Sequence, residues 1–175
     1  MFKLTPEEIN EGIGDFQKAI DLDPNYALAY VGLSDANRTL VMSTEKLPEE
    51  YLPRSKAAAQ KALELDDALP DAHTALGITM FWYDWNWSES ESQFKRALEL
   101  NPKTPDAHVF YAQMLSNMGR HSEALTEIRR AIELDPFAPF ANALYGQFLA
   151  NAGQPDEALA VLQKTFLLAP RFWFP

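Results

Sequence analysis

Ala97-Leu98-Glu99-Leu100-Asn101-Pro102 is a helix ending that the chain writes again as Ala131-Ile132-Glu133-Leu134-Asp135-Pro136. Looser copies lie on either side, at Ala19 to Pro24, Ala62 to Asp67 and Thr165 to Pro170. The last residues of the five copies are 43, 35, 34 and 34 positions apart. A helix-stopping proline that returns at such a period marks stacked helical hairpins. One hairpin cannot bury its apolar faces alone, so each leans on the next and the array leaves a long surface open to a partner. The spacing therefore predicts an all-α chain built for binding rather than chemistry.

Within the two late units the pattern can be followed residue by residue. From Pro105 to Pro136 the small residues Ala112, Ala124 and Ala131 alternate with the large Tyr111, Leu115 and Ile128, and from Pro139 to Pro170 the matching set is Gly146, Ala158 and Thr165 with Tyr145, Leu149 and Leu162. Small residues where helices cross let the axes approach, and large ones fill the remaining space. This arrangement is similar to the tetratricopeptide repeat (TPR) family, whose 34-residue unit has Gly or Ala at its eighth position, Ala at the twentieth and twenty-seventh, and Pro at the thirty-second. The resemblance implies a right-handed α-solenoid of antiparallel helix pairs, a TPR superhelix. It spans 1–175 as one array, with a half repeat at 5–24, full repeats at about 27–67, 70–102, 105–136 and 139–170, and the start of a further repeat at 171–175.

Thr5-Pro6-Glu7-Glu8 reads as a capping box with proline at the first helical position, opening a helix that runs to about Leu22. The extra length of the first full repeat is expected in a loop from Met42 to Pro53, cut first by a protease near Lys46 or Arg54. Gly119 and Gly153 stand where the first helix of each late pair must stop, as suits residues that tolerate positive φ.

Composition excludes several functions. The net charge is −10, with 15 basic residues scattered among 25 acidic ones, which argues against nucleic acid. With no cysteine there is no disulfide, thiol catalysis or thiolate zinc site. No apolar run approaches the length of a membrane span and the N-terminus lacks a signal peptide's apolar core, so a soluble, cytoplasmic chain is expected. No phosphate loop, GxSxG or HExxH is present. His73 and His108 share a register also filled by Tyr30 and Asn142, which reads as packing with a polar tip. The sequence thus leads to no enzyme, no cofactor and no metal.

The TPR resemblance implies that the first helix of each repeat lines a concave groove. The residues it assigns to partner binding are Arg38, Ile78, Phe81 and Trp82 in the earlier repeats and Val109, Gln113, Asn117, Phe140, Gln147 and Asn151 in the later ones. Only Arg38 is basic, so the cluster of Lys, Arg and Asn with which some TPR modules clamp acidic peptide ends is absent. A protein or peptide partner that is not strongly acidic is expected. In Phe81-Trp82-Tyr83-Asp84-Trp85-Asn86-Trp87, the tryptophans 85 and 87 read either as wedges bracing a turn one residue longer than its neighbours or as exposed anchors. Together with the stretch from Ser88 to Pro102, this segment also resembles the TPR tails of bacterial signalling proteins, in which a kinase, nucleotide cyclase or winged-helix domain precedes the repeats. That resemblance implies a regulatory segment as one alternative. Self-assembly is the other, through ends without polar caps: the stripe Ile9, Ile13, Phe16 and Ile20 at one end, and Leu162, Phe166, Leu167 and Phe172-Trp173-Phe174 at the other.

Overall fold

The computed structural model describes residues 5–43 and 47–169. They form nine α-helices and one π-helical turn, with no strand among the described residues: α1 (Pro6–Leu22), α2 (Ala27–Ser43), α3 (Pro48–Leu65), α4 (Pro70–Thr79), the π-turn (Met80–Asp84), α5 (Trp87–Leu100), α6 (Pro105–Asn117), α7 (His121–Leu134), α8 (Pro139–Asn151) and α9 (Pro155–Leu168). The chain forms two compact units, Met1–Pro102 and Lys103–Pro175. In the first unit α2 pairs with α3 and α4 with α5, and α1 packs on α2; in the second α6 pairs with α7 and α8 with α9.

Local chemistry sets where helices begin. The Thr5 hydroxyl accepts from the Glu8 amide at 3.2 Å while Glu8 Oε2 accepts from the Thr5 amide at 2.6 Å, the reciprocal box read from the sequence. Proline opens α1, α3, α4, α6, α8 and α9, where its missing N–H forfeits no helical bond. The expected Met42 to Pro53 loop is mostly helix instead. Helix α2 continues to Ser43, α3 starts at Pro48, and Pro53 sits inside α3. Two longer helices of 17 and 18 residues take up the extra length, and a proline this near a helix start breaks little of the ladder. Of the loop, residues 44–46, including the Lys46 cleavage point, lie outside the described residues.

The hairpins close at crossings of small residues. The eighth position of the first helix holds Ser34, Gly77, Ala112 and Gly146, and the facing second helices bring Ser55, Ser90, Ala124 and Ala158, all buried. The Ser34 and Ser55 hydroxyls meet at 2.9 Å, and the Ser90 hydroxyl donates to the Gly77 carbonyl at 2.8 Å. A Cβ at Gly77 would lie 3.0 Å from the Phe94 ring and one at Gly146 2.6 Å from Leu162. A second device ties three of the first helices, α2, α4 and α8, to the turns before them. The Tyr30 hydroxyl donates to the Pro24 carbonyl at 3.3 Å, His73 Nε2 bonds the Asp67 carbonyl at 3.0 Å, and Asn142 Nδ2 donates to the Pro136 carbonyl at 3.1 Å. The shared register is thus a polar latch across six residues.

At the end of α1 the apolar stripe is covered rather than exposed: Ile9 and Ile20 are buried, and the Phe16 ring fills the space a side chain at Gly32 would need. This corrects the expectation of an open flank there, because α2 packs directly on that stripe. Phe94 and Phe148 are the largest fully buried side chains among the described residues. Phe94→Ala should lower unfolding free energy by about 3–5 kcal/mol, read as a fall in the urea midpoint with unchanged slope.

Candidate functional site

In the first unit, the face formed by α2 and α4 carries Asp35, Arg38, Asp71 and Thr74. Arg38 Nη2 donates to Asp35 Oδ1 at 3.0 Å, and its side chain is only 12% exposed, so the single basic group expected on this face is already engaged by a carboxylate. The hydroxyls of Thr39 and Thr74 donate back to the carbonyls of Asp35 and Pro70, at 2.7 and 2.9 Å, within their own helices. Burial pushes the Asp71 carboxyl above its ordinary range, and the nearby Asp35 carboxylate adds to the shift.

In the second unit, the face formed by α6 and α8 carries more exposed amides. Asn117, Gln147 and Asn151 are exposed, Gln113 and Phe140 half-buried. The Asn151 amide donates to the Ser116 hydroxyl at 3.2 Å, and the Phe140 ring lies 5.9 Å from Phe110. Gln113 Oε1 is buried with no hydrogen-bond partner. Gln113 and Gln147, and likewise Asn117 and Asn151, are one 34-residue period apart, so the repeat sets side by side two pairs of groups able both to donate and to accept.

Ile78, Phe81 and Val109 are buried, which corrects their assignment as partner contacts: a side chain closed off by its own helices has no surface to offer. The TPR resemblance marked them as groove-lining but could not say whether a neighbouring helix covers them. Trp82 is half-buried. Trp87 packs edge-on against Phe81, ring centroids 5.3 Å apart, as a brace, whereas Trp85 points out at 67% exposure and is no wedge. Sequence reasoning also missed a shallow depression of about 370 Å³ on α7, where His108 Nδ1 lies 2.7 Å from Glu127 and Arg129 stacks over Tyr145 at 5.7 Å. The equivalent contact one repeat earlier joins His73 to Gln93 at 2.7 Å, so the His register itself was the signal. Among the described residues no group of His, Cys, Asp or Glu is placed to hold a metal, and no helix is long and apolar enough to cross a membrane.

A family model described as tetratricopeptide repeat matches residues 81–139 and 115–166. The chain is similar to the protein O-mannosyl-transferase Tmtc1 of Drosophila melanogaster, 39% identical over 64 residues; the match takes in 37% of this chain and spans 8% of that protein's length. Among solved structures it is similar to YrrB, described as a TPR protein with an unusual peptide-binding site, at 25% identity and TM-score 0.61, covering 94% of this chain and 80% of that one. It also shares the fold of PilW, a type IV pilus biogenesis factor, at 16% identity and TM-score 0.77, covering 95% of this chain and 73% of that one.

Protonation of Asp71 is easier in the folded state than in the unfolded one, so this group favours folding at low pH and loses that contribution as pH rises through its raised pKa. Asp71→Asn should therefore gain stability relative to the parent as pH rises, the two converging toward and below 3.8, the ordinary carboxyl value. Asp35→Asn should bring the Asp71 titration, followed by carboxyl-carbon NMR, back toward that value.

Proposed function

Because the chain belongs to the tetratricopeptide-repeat family, we propose that it is a protein-interaction module whose second unit holds an extended peptide, not strongly acidic, on the face of α6 and α8. The observation that carries this reading is the pairing of Gln113 with Gln147 and Asn117 with Asn151 at one repeat's spacing, with Asn117, Gln147 and Asn151 exposed. An extended strand carries an N–H and a C=O at each residue, and amide side chains on an open face can pair with both. Asn117, Gln147 and Asn151 then offer further bonds to main-chain groups, and Phe140 an apolar contact. The likeness to YrrB, itself described as having a peptide-binding site, supports the reading. So does the net charge of −10, which repels acidic segments at long range. In this reading the chain binds and does no chemistry of its own. The transferase activity in the Tmtc1 name belongs to a protein of which the match is a small part.

Selection of peptides from an unbiased library should give sequences poor in Asp and Glu. The double variant Asn117→Ala with Gln147→Ala should weaken the best of them by about 1–3 kcal/mol without changing the melting temperature. Unchanged affinity would remove the peptide from this face.

A second reading, self-assembly, is favoured by α9. Leu125 on α7 is 5% exposed, while its counterpart one repeat later, Leu159, is 58% exposed and Phe166 64%. Leu159, Leu162, Phe166 and Leu167 line a depression of about 450 Å³ of the kind that another helix fills. The expected contribution of Phe172, Trp173 and Phe174 lies outside the described residues. Light scattering across a tenfold concentration range should show association, and Phe166→Glu should abolish it; a mass that stays monomeric throughout sinks this second reading alone.

A further inference from the structure

Three hairpins turn through a left-handed residue two positions before their second helix. In two of them it is glycine, Gly119 at φ 76° and Gly153 at φ 77°, and in the third it is Trp85 at φ 55°. The closure is the same in kind. The Arg120 amide donates to the Leu115 carbonyl and the Gln154 amide to the Leu149 carbonyl, both at 2.9 Å, while the Asn86 amide donates to the Met80 carbonyl at 3.0 Å across one residue more. That additional residue is what makes Met80–Asp84 a π-turn, an irregularity common at functional sites. The backbone here favours glycine, and a tryptophan in its place is strained. Its ring gains little burial in return, being 67% exposed and meeting Trp87 at a tilt of 53°, centroids 6.0 Å apart. Folding alone does not account for this residue.

We infer that the exposed face of Trp85, backed by Trp87, is an interaction surface that takes a cationic side chain, arginine above all, from a basic segment of a partner protein. An indole face attracts cations, and a planar guanidinium stacks on it better than an ammonium. The surroundings fit that charge. Between Lys61 and Lys95 the chain holds seven carboxylates and no Lys or Arg; of the three along the turn and the start of α5, Asp84 is paired with Lys56 and Glu91 with Lys95, while Glu89 is in no ion pair among the described residues. An acidic segment or anionic lipid would meet repulsion here. This surface lies in the first unit and is independent of the peptide face of α6 and α8.

The test titrates the whole chain with a fluorescein-labelled peptide of alternating Arg and Ser, and with the same peptide carrying Gln for Arg, following anisotropy and indole N–H NMR signals. The Arg peptide should bind saturably and move the Trp85 indole signal, and the Gln peptide should not. Trp85→Gly should weaken the Arg peptide about five- to thirtyfold, the range of a cation–π contact, while the melting temperature holds or rises by about 2–4 °C as strain is relieved. Trp85→Phe should restore part of the affinity. Equal binding by Trp85→Gly would show that net charge alone attracts the peptide. Equal binding of the Gln peptide would show apolar stacking without charge recognition, and a large drop in melting temperature would make Trp85 a brace. Any of the three overturns the assignment.

Discussion

Each hairpin depends on the close approach of two helices at one small residue. Ser34, Gly77, Ala112 and Gly146 occupy the same position, and Phe94 and Leu162 reach so near Gly77 and Gly146 that a Cβ added there would make these side chains give way. Once that distance is set, the second small row of Ala62, Ala97 and Ala131 is buried, and the large side chains between them fill the remaining volume. The first full repeat uses the same rule with different atoms, pairing two serine hydroxyls where the second bonds Ser90 to the Gly77 carbonyl and the two late repeats pack carbon. A hydroxyl pair is as small as the glycine contact and satisfies itself, so no buried polar group is left over.

The repeat is periodic in its core and irregular where it meets solvent. The polar latch, the capping box and the left-handed turn are local, and each tolerates several side chains: tyrosine, histidine or asparagine for the latch, glycine or tryptophan for the turn. An additional residue in the second full repeat is absorbed by widening one helical turn, not by a loop, because a π-turn keeps backbone groups paired. Nine additional residues in the first full repeat cannot be hidden that way, and they lengthen two helices instead.

These differences divide the chemistry between the units. The α2 and α4 face has its one guanidinium tied to a carboxylate and its hydroxyls turned back on their helices. The α6 and α8 face keeps exposed amides at repeat spacing. The two faces thus differ in which polar groups their helices leave exposed, and not in which positions the repeat assigns to the face.

The sequence by itself determined the helical hairpins, their register, the capping box at Thr5 and the glycine turns at 119 and 153, because each rests on contacts within a few residues or on a period of 34. It also identified the His73 register as polar-tipped packing. It could not separate Ile78, Phe81 and Val109, which are sealed, from Asn117 and Gln147, which are open. Nor could it tell that Trp87 turns inward and Trp85 outward. Exposure depends on how much of a side chain the neighbouring helices cover, and that coverage comes from residues a full repeat away. Only the packed structure brings them together.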